Sequence, residues 1–258
     1  MELFDLSGKS AIVTGSSRGI GRAIAERLAE HGARVVISSR KPAPCEEVAN
    51  AINEKYGEGR AIWVPANIAD KAELQALVDR TNEAFGKVDI LVCNAAINPY
   101  YGPLLDISDE AFDKIMASNI KSNVWLCALA IPDMAKRKDG SVIIVSSIGG
   151  LRGTPVIGAY GISKAADMAL VRNLAMEWGQ HNVRVNAIAP GLVKTDFARA
   201  LWENPDTYQA TIKMSPLRRI GEPDDIAGAA IFLASAAGNF TTGSTVVIDG
   251  GVTIAGRG

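Results

Sequence analysis

A parallel, doubly wound α/β sheet is the fold class this sequence predicts, and three observations predict it. Seven short β-branched apolar runs recur along the 258 residues, apolar on both faces as strands covered by helices on both sides are. Longer stretches with helical periodicity lie between them, so strand and helix alternate. No internal repeat, low-complexity tract or Pro/Ser-rich linker breaks the alternation, which predicts one domain over residues 1–258.

Taken in order, SAIVT (10–14) is the first strand and 19–31 the first helix, with Gly32 placed as a helix-ending glycine. RVVIS (34–38) is followed by a helix over 43–56, and AIWVP (61–65) by a helix over 71–85 that stops at Gly86. DILVC (89–93) leads to one long helix over 108–136, whose start is marked by Ser108 with Glu110 nearby. SVIIVS (141–146) precedes a helix over 156–180, VRVNAIA (183–189) the least regular stretch at 193–217 and a helix over 223–236, and STVVID (244–249) closes the sheet.

Composition excludes several function classes. Apolar residues make up 48% and charged residues 21%, and the net charge is −1 with the charges scattered. No basic stripe favours nucleic acid or an anionic membrane. The longest uncharged apolar stretch, 227–238, is too short to span a bilayer, and MELFDLSGKS has no signal-peptide apolar region. A soluble, cytoplasmic chain is expected. Cys45, Cys93 and Cys127 lack C-x-x-C spacing, and His31 and His181 are the only histidines, so neither a metal site nor a Ser-His-Asp triad is expected.

Two motifs carry chemistry. TGSSRGIG (14–21) follows the first strand immediately and opens a helix, with Gly15, Gly19 and Gly21 where the chain must turn tightly. Such a turn brings backbone N–H groups and a helix N-terminus against a pyrophosphate, so a dinucleotide is the predicted ligand. Further on, Tyr160 and Lys164 stand one helical turn apart, and Ser147 ends the fifth strand thirteen residues upstream of the tyrosine. A free phenol titrates near ~10, and a cation on the same helix face can stabilise its phenolate enough to make it an acid–base group at neutral pH. The serine hydroxyl can hold and polarise a carbonyl oxygen.

The G-x-x-x-G-x-G spacing together with Ser147, Tyr160 and Lys164 resembles the short-chain dehydrogenase/reductase family. NAA (94–96), Asn119 in SNIKSN, and PGLVKT (190–195) extend the resemblance from about Lys9 to Gly251. It implies a Rossmann fold with a seven-stranded parallel sheet, catalysis by Asn119, Ser147, Tyr160 and Lys164, and substrate binding at Ser147 and Tyr160. Ser146 is the rival serine, but the family's Ser-to-Tyr interval favours Ser147. Lys164 and Tyr160 are also implied to touch the nicotinamide ribose. By the same analogy Asn119 kinks its helix, and its exposed carbonyl and side chain hold a water that links Lys164 to solvent. Cofactor contacts are implied for Gly15, Ser17, Arg18, Gly19, Ile20 and Gly21, for Asn94, Ala95 and Ala96, and for Pro190, Gly191, Val193 and Thr195. Asn67 stands where the family often has an Asp against adenine, with Ile68 flanking the ring. NAA replaces the more usual Asn-Ala-Gly.

The choice of cofactor is read from the end of the second strand. An acidic residue there would bind a ribose diol and repel a 2′-phosphate. This chain has Ser38-Ser39-Arg40-Lys41 and no Asp or Glu from 31 to 45. Arg40 can pair bidentately with a phosphate, Ser39 can donate a hydroxyl, and Arg18 adds a guanidinium, so NADP(H) is expected.

Substrate choice is assigned to 97–104, to IGGLRGT after Ser147, and to a lid over 193–217 in which Phe197, Leu201, Trp202 and Tyr208 line an apolar pocket. A bulky or aromatic ketone fits this better than a sugar phosphate, while Lys194, Arg199 and Lys213 leave a carboxylate or carrier-bound acyl substrate open. The expected function is therefore an NADP(H)-dependent ketone/aldehyde reductase or alcohol dehydrogenase. A 3-oxoacyl carrier-protein reductase, or a dinucleotide-binding sensor without turnover, are the alternatives. NAAINPYYGPLLD, GSVIIVSSI, APGLVKTDFARALW and RRIGEPDDIAG further resemble the family's NADPH-dependent carbonyl and retinal reductase group. That group's animal members carry a peroxisomal ending; this sequence ends Ala-Gly-Arg-Gly, and no such address is expected. The resemblance also implies a homotetramer, or a dimer, through the long helices and STVVIDGG.

Overall fold

Each strand contributes apolar residues to both faces of one parallel sheet. In the computed structural model, which describes residues 2–255, the strands are β1 (Ser10–Thr14), β2 (Arg34–Ser38), β3 (Ala61–Trp63), β4 (Ile90–Cys93), β5 (Gly140–Val145), β6 (Val183–Pro190) and β7 (Thr245–Ile248). Residues 256–258, on which the expectation about a peroxisomal ending was read, lie outside the described residues. The order is β3-β2-β1-β4-β5-β6-β7, with every pair parallel. This is the single-domain, doubly wound Rossmann fold expected.

The period of two divides the core. Val13, Ile37, Val92 and Ile143 face α1 (Gly19–Glu30), α2 (Pro42–Tyr56) and, later in the chain, a helix over Pro223–Ala234. Ile12, Val36, Leu91 and Val142 face α3 (Lys71–Phe85) and the long helices that follow β4 and β5. Burying each such side chain contributes about 1.5–3 kcal/mol, so both layers are held firmly. Strand order reverses between β1 and β4, and a ligand crevice opens at the carboxyl ends of strands at such a point.

Three elements differ from expectation. β3 ends at Trp63 and not at residue 65, although contact with the chain of β2 continues past it through Val64 N–H to the Ile37 carbonyl and Ala66 N–H to the Ser39 carbonyl. The helix expected over 108–136 is broken into α4 (Asp109–Met116), a π-turn over Ala117–Lys121, and α5 (Ser122–Arg137). The break falls at Asn119, whose side chain is drawn sideways to the main chain of Ile97. After α6 (Gly158–Trp178) and β6, the stretch 193–217 is more ordered than its pattern suggests: it holds α7 (Arg199–Trp202) and α8 (Pro205–Met214). The start of α8 is set by Asn204, whose Oδ1 accepts from Thr207 N–H at 3.0 Å, and by Pro205 in the first turn. Neither helix has a buried residue, so apolar periodicity could not reveal them. The helix over Pro223–Ala234, α9, packs beside α1.

Candidate active site

The turn after β1 is assembled by short polar side chains. Thr14 Oγ1 accepts the N–H groups of Asn94 (3.0 Å) and Ala95 (3.1 Å), while Asn94 Nδ2 donates to the carbonyls of Thr14 (2.9 Å) and Gly15 (3.2 Å). Buried Ser16 ties β1 to β2 by donating to the Val13 carbonyl and accepting from Ser38 N–H. Gly21 lets α1 start flush against this turn: a Cβ there would sit 2.4 Å from the Gly15 carbonyl oxygen. Gly21 is buried and does not line the cleft, which corrects its expected role as a cofactor contact to one of packing. Gly15, Ser17, Arg18, Gly19 and Ile20 do line it. Arg18 stands at the N-cap of α1 without a side-chain cap, so the first-turn N–H groups face the cleft as an anion cradle. The fit to a pyrophosphate rests on that geometry.

The cleft has a volume of about 2740 Å³, enough for a dinucleotide and a substrate together. At one end stand Ser39, Arg40, Lys41, Asn67 and Ile68. Arg40 and Lys41 are exposed there, and among the described lining residues Asp196, from the far wall, is the sole carboxylate. Arg18 pairs with that Asp196 at 3.4 Å, so its guanidinium bridges the cleft. Ser39 Oγ is 3.0 Å from Cys45 Sγ, and Asn67 Oδ1 accepts from Ala69 N–H at 3.2 Å.

At the other end β5 delivers Ser147 and α6 delivers Tyr160 and Lys164. Ser147 caps the short turn Ile148–Gly150, accepting from Gly149 N–H at 3.0 Å. This turn lies on α6, where a Cβ on Gly150 would come within 2.6 Å of Lys164 carbonyl carbon. Ser147 and Tyr160 flank one spot above Gly149: a Cβ there would be 3.4 Å from Ser147 Oγ and 3.8 Å from Tyr160 Cε1. Ser146 is buried, with its hydroxyl donated to the Lys164 carbonyl at 2.8 Å. Lys164 Nζ lies 5.7 Å from the centroid of the Tyr160 ring.

Lys164 is only 2% exposed. Its Nζ donates to the Val145 carbonyl and to Asp167 Oδ2, each at 3.0 Å. Burial by itself works against the ammonium, but the Asp167 carboxylate, with Tyr160 after it, outweighs this and holds Lys164 above its ordinary value. Burial in turn pushes Asp167 up, against the pull of Lys164 and Asn123. Asp167 Oδ1 accepts from Asn123 Nδ2 at 2.9 Å, and the same Nδ2 donates to the Asn119 carbonyl at 2.7 Å.

Asn119 kinks its helix as the resemblance implied, but its carbonyl is not exposed. It is fully buried, its Oδ1 accepts from Ile97 N–H at 2.9 Å, and its Nδ2 donates to the Ile97 carbonyl and Ser163 Oγ, each at 3.0 Å. Its carbonyl is taken by Asn123 rather than exposed. The side chain pins the segment after β4 to the π-turn.

Residues 15–253 match the family model described as "Enoyl-(Acyl carrier protein) reductase". The chain is 43% identical to the Bos taurus dehydrogenase/reductase SDR family member 4, over 95% of this chain and 88% of that one. This chain belongs to the short-chain dehydrogenase/reductase family. Solved structures agree. A gluconate 5-dehydrogenase from Burkholderia cenocepacia, in complex with NADP and tartrate, superposes with a TM-score of 0.94 at 32% identity, covering 99% of both chains. A 3-oxoacyl (acyl-carrier-protein) reductase from Agrobacterium tumefaciens with NADP bound superposes at 0.89 with 36% identity, covering 96% of this chain and 95% of that one.

The remaining wall of the cleft comes from the segments after β4 and β6. Asn94, Ala95, Ala96, Pro190, Gly191, Val193 and Thr195 all line it. Thr195 turns its hydroxyl to the Val193 carbonyl (3.4 Å) and its methyl toward Gly19. Of the aromatics assigned to the pocket, Phe197 lines the cleft, its ring 6.1 Å from that of Tyr160, as does Leu201. Trp202 and Tyr208 do not. Trp202 donates its indole N–H to the Thr195 carbonyl at 2.9 Å and serves to brace the segment. Lys194 stacks over that indole and Arg199 pairs with Asp196, so of the three expected cations Lys213 alone lines the cleft. Arg152, within the IGGLRGT segment assigned to substrate choice, lines it as well, as do Lys114 and Arg218, which were not foreseen. Asn123 and Asp167 were also missed, although each stands within one helical turn of a residue already singled out, Asn119 and Lys164. Among the described residues no group of three His, Cys, Asp or Glu could hold a metal, and no helix is long and apolar enough to cross a membrane.

Proposed function

We propose that this chain is an NADP(H)-dependent oxidoreductase that interconverts a ketone or aldehyde and the corresponding alcohol, with Ser147, Tyr160 and Lys164 as its reacting centre. The observation that carries this reading is the convergence of the three on one wall of a cleft whose other end is the cradle at Gly15–Gly19. When bound, the cofactor supplies or accepts the hydride. In reduction, Ser147 holds the carbonyl oxygen by a hydrogen bond and Tyr160 gives it a proton; in oxidation, Tyr160 takes the proton back. Lys164 stabilises the phenolate left behind. Asn119 acts indirectly, by fixing the π-turn and Ile97. The preference for NADP(H) is supported by Arg40, exposed at the end of β2, by the lack of a carboxylate beside it, and by the NADP in both related structures.

Residues 193–217 act as a substrate lid, with Phe197 and Leu201 favouring an apolar or aromatic ketone. A second reading, reduction of a 3-oxoacyl group on a carrier protein, is favoured by Arg152, Lys213 and Arg218 around the cleft, since acidic carriers dock on basic rims. A homotetramer is supported by Ile162 and Met176, exposed on α6, and by β7, a half-exposed edge strand; light scattering that reads a monomer would remove this part. The central experiment is turnover of ketones, aldehydes and 3-oxoacyl thioesters with NADPH and with NADH, read as nicotinamide absorbance. Cofactor binding without turnover on any class would leave a dinucleotide sensor instead.

A further inference from the structure

Beneath the reacting centre lies a charged group that the proposed reaction does not use. Asp167 is fully buried, on the face of α6 that also carries Lys164. Its two oxygens accept from Lys164 Nζ and Asn123 Nδ2, so both face donors and neither needs a proton of its own. Asn123 is held in that orientation because its amide nitrogen also meets the Asn119 carbonyl, another acceptor. A chain of hydrogen bonds therefore runs from the π-turn through Asn123 and Asp167 to the ammonium.

A buried ion pair is weak evidence for stability, because an apolar pair of similar volume often does as well. This one sits where the ammonium is needed. With two of its N–H groups on Val145 and Asp167, Lys164 keeps the third for the cleft that it lines. The other titratable groups around it are Tyr160 on α6, Cys93 at the end of β4, and Cys127 on α5 behind Cys93. The hydrogen bond between the two thiols, and then burial, push Cys93 well up, so it stays neutral and offers no counter-charge. Asp167 is the fixed carboxylate of the cluster.

Resting on the oxidoreductase reading above, we propose that Asp167 is a positioning residue of the reaction, which keeps Lys164 charged and, itself oriented by Asn123, aims it at the cleft beside Tyr160. Without the carboxylate, the Lys164–Tyr160 pair is a buried net positive charge, and it gives up its first proton at lower pH whichever of the two loses it. Carbonyl reduction needs both protons in place, so its basic limb falls with that step.

The test has two arms. In the wild-type chain labelled with ¹³C-lysine, the Lys164 side-chain resonance, assigned by its absence in Lys164→Met, is expected to titrate above the ordinary lysine value of 10.5; titration below that value overturns the proposal without reference to turnover. In Asp167→Asn, the basic limb of kcat/KM for reduction is expected to move down by about one pH unit or more, with kcat about tenfold lower. Asn123→Ala, which leaves the ion pair, is expected to lose kcat while keeping the limb. A limb that stays in place in a folded Asp167→Asn chain, or moves equally in Asn123→Ala, assigns Asp167 a structural role only. Should Asp167→Asn fail to fold, the lysine titration decides alone. Absence of turnover in the wild type would instead defeat the oxidoreductase reading and leave the first arm standing.

Discussion

The reacting centre and the segment 193–217 face each other across one cleft and are built by opposite means. Lys164, Asp167, Asn119 and Asn123 are buried, and each hydrogen bond among them runs to main chain or to another buried group. Across the cleft, α7 and α8 bury no residue and are held by exposed pairs such as Asp196–Arg199 and Arg18–Asp196. Exposed pairs contribute about 0–1 kcal/mol, whereas removing one partner of a buried pair costs about 3–5 kcal/mol. The difference teaches how labour is divided. In the proposed reaction, the geometry that proton transfer needs is fixed by the core, and the shape that a substrate needs is left on a weakly held surface segment.

The largest effect is expected on the buried side. Tyr160→Phe removes the proton donor and leaves the ring that packs near Phe197, so turnover should fall by about 10²–10⁴-fold with NADPH affinity unchanged. Cofactor titration by fluorescence and steady-state kinetics together check this. Turnover near wild type would take Tyr160 out of the mechanism and dissolve the contrast drawn above. An intermediate effect is expected at the far end of the cleft. Arg40→Asp exchanges a cation for a carboxylate where a 2′-phosphate would sit, and a charge-assisted hydrogen bond contributes about 1.5–3 kcal/mol, so NADPH should bind roughly 10–100-fold more weakly. NADH binding should change little. Equal losses for the two cofactors would mean that Arg40 does not read the phosphate.

How much of this was legible in the sequence follows the same division. The seven strands and the glycine turn were readable because apolar runs and turn glycines are local signals. Ser147, Tyr160 and Lys164 were readable because their spacing reports one helix face and one strand end. The kink at Asn119 came from the resemblance alone, since helical periodicity is nearly blind to one inserted residue, and the bond that holds the π-turn runs to Ile97, 22 positions away. Asp167 escaped for a related reason: an Asp three residues after a Lys on a helix is usually a solvated pair, and burial alone distinguishes it. In 193–217 the misplaced residues were Trp202 and Tyr208, where composition suggested a pocket and the indole N–H was spent instead on the Thr195 carbonyl.

The smallest effect is expected from Phe197→Ala, and it probes the exposed side directly. Phe197 is 57% exposed, yet its ring stands 6.1 Å from that of Tyr160, so it can cover a substrate without supporting the fold. Removing an exposed side chain should leave stability within about 0.5 kcal/mol, which thermal unfolding can verify. Losing one hydrophobic wall of a pocket is worth about 1–3 kcal/mol of discrimination for a substrate that fills it. For a bulky aryl ketone this appears as a KM raised by roughly tenfold with kcat nearly unchanged, because the contact is made equally before and during proton transfer. A small ketone such as acetone, which does not reach the ring, should be reduced as before. If kcat fell alike for large and small ketones, Phe197 would belong with Tyr160 to the rigid machinery, and the two walls of the cleft would not be separable into chemistry and choice.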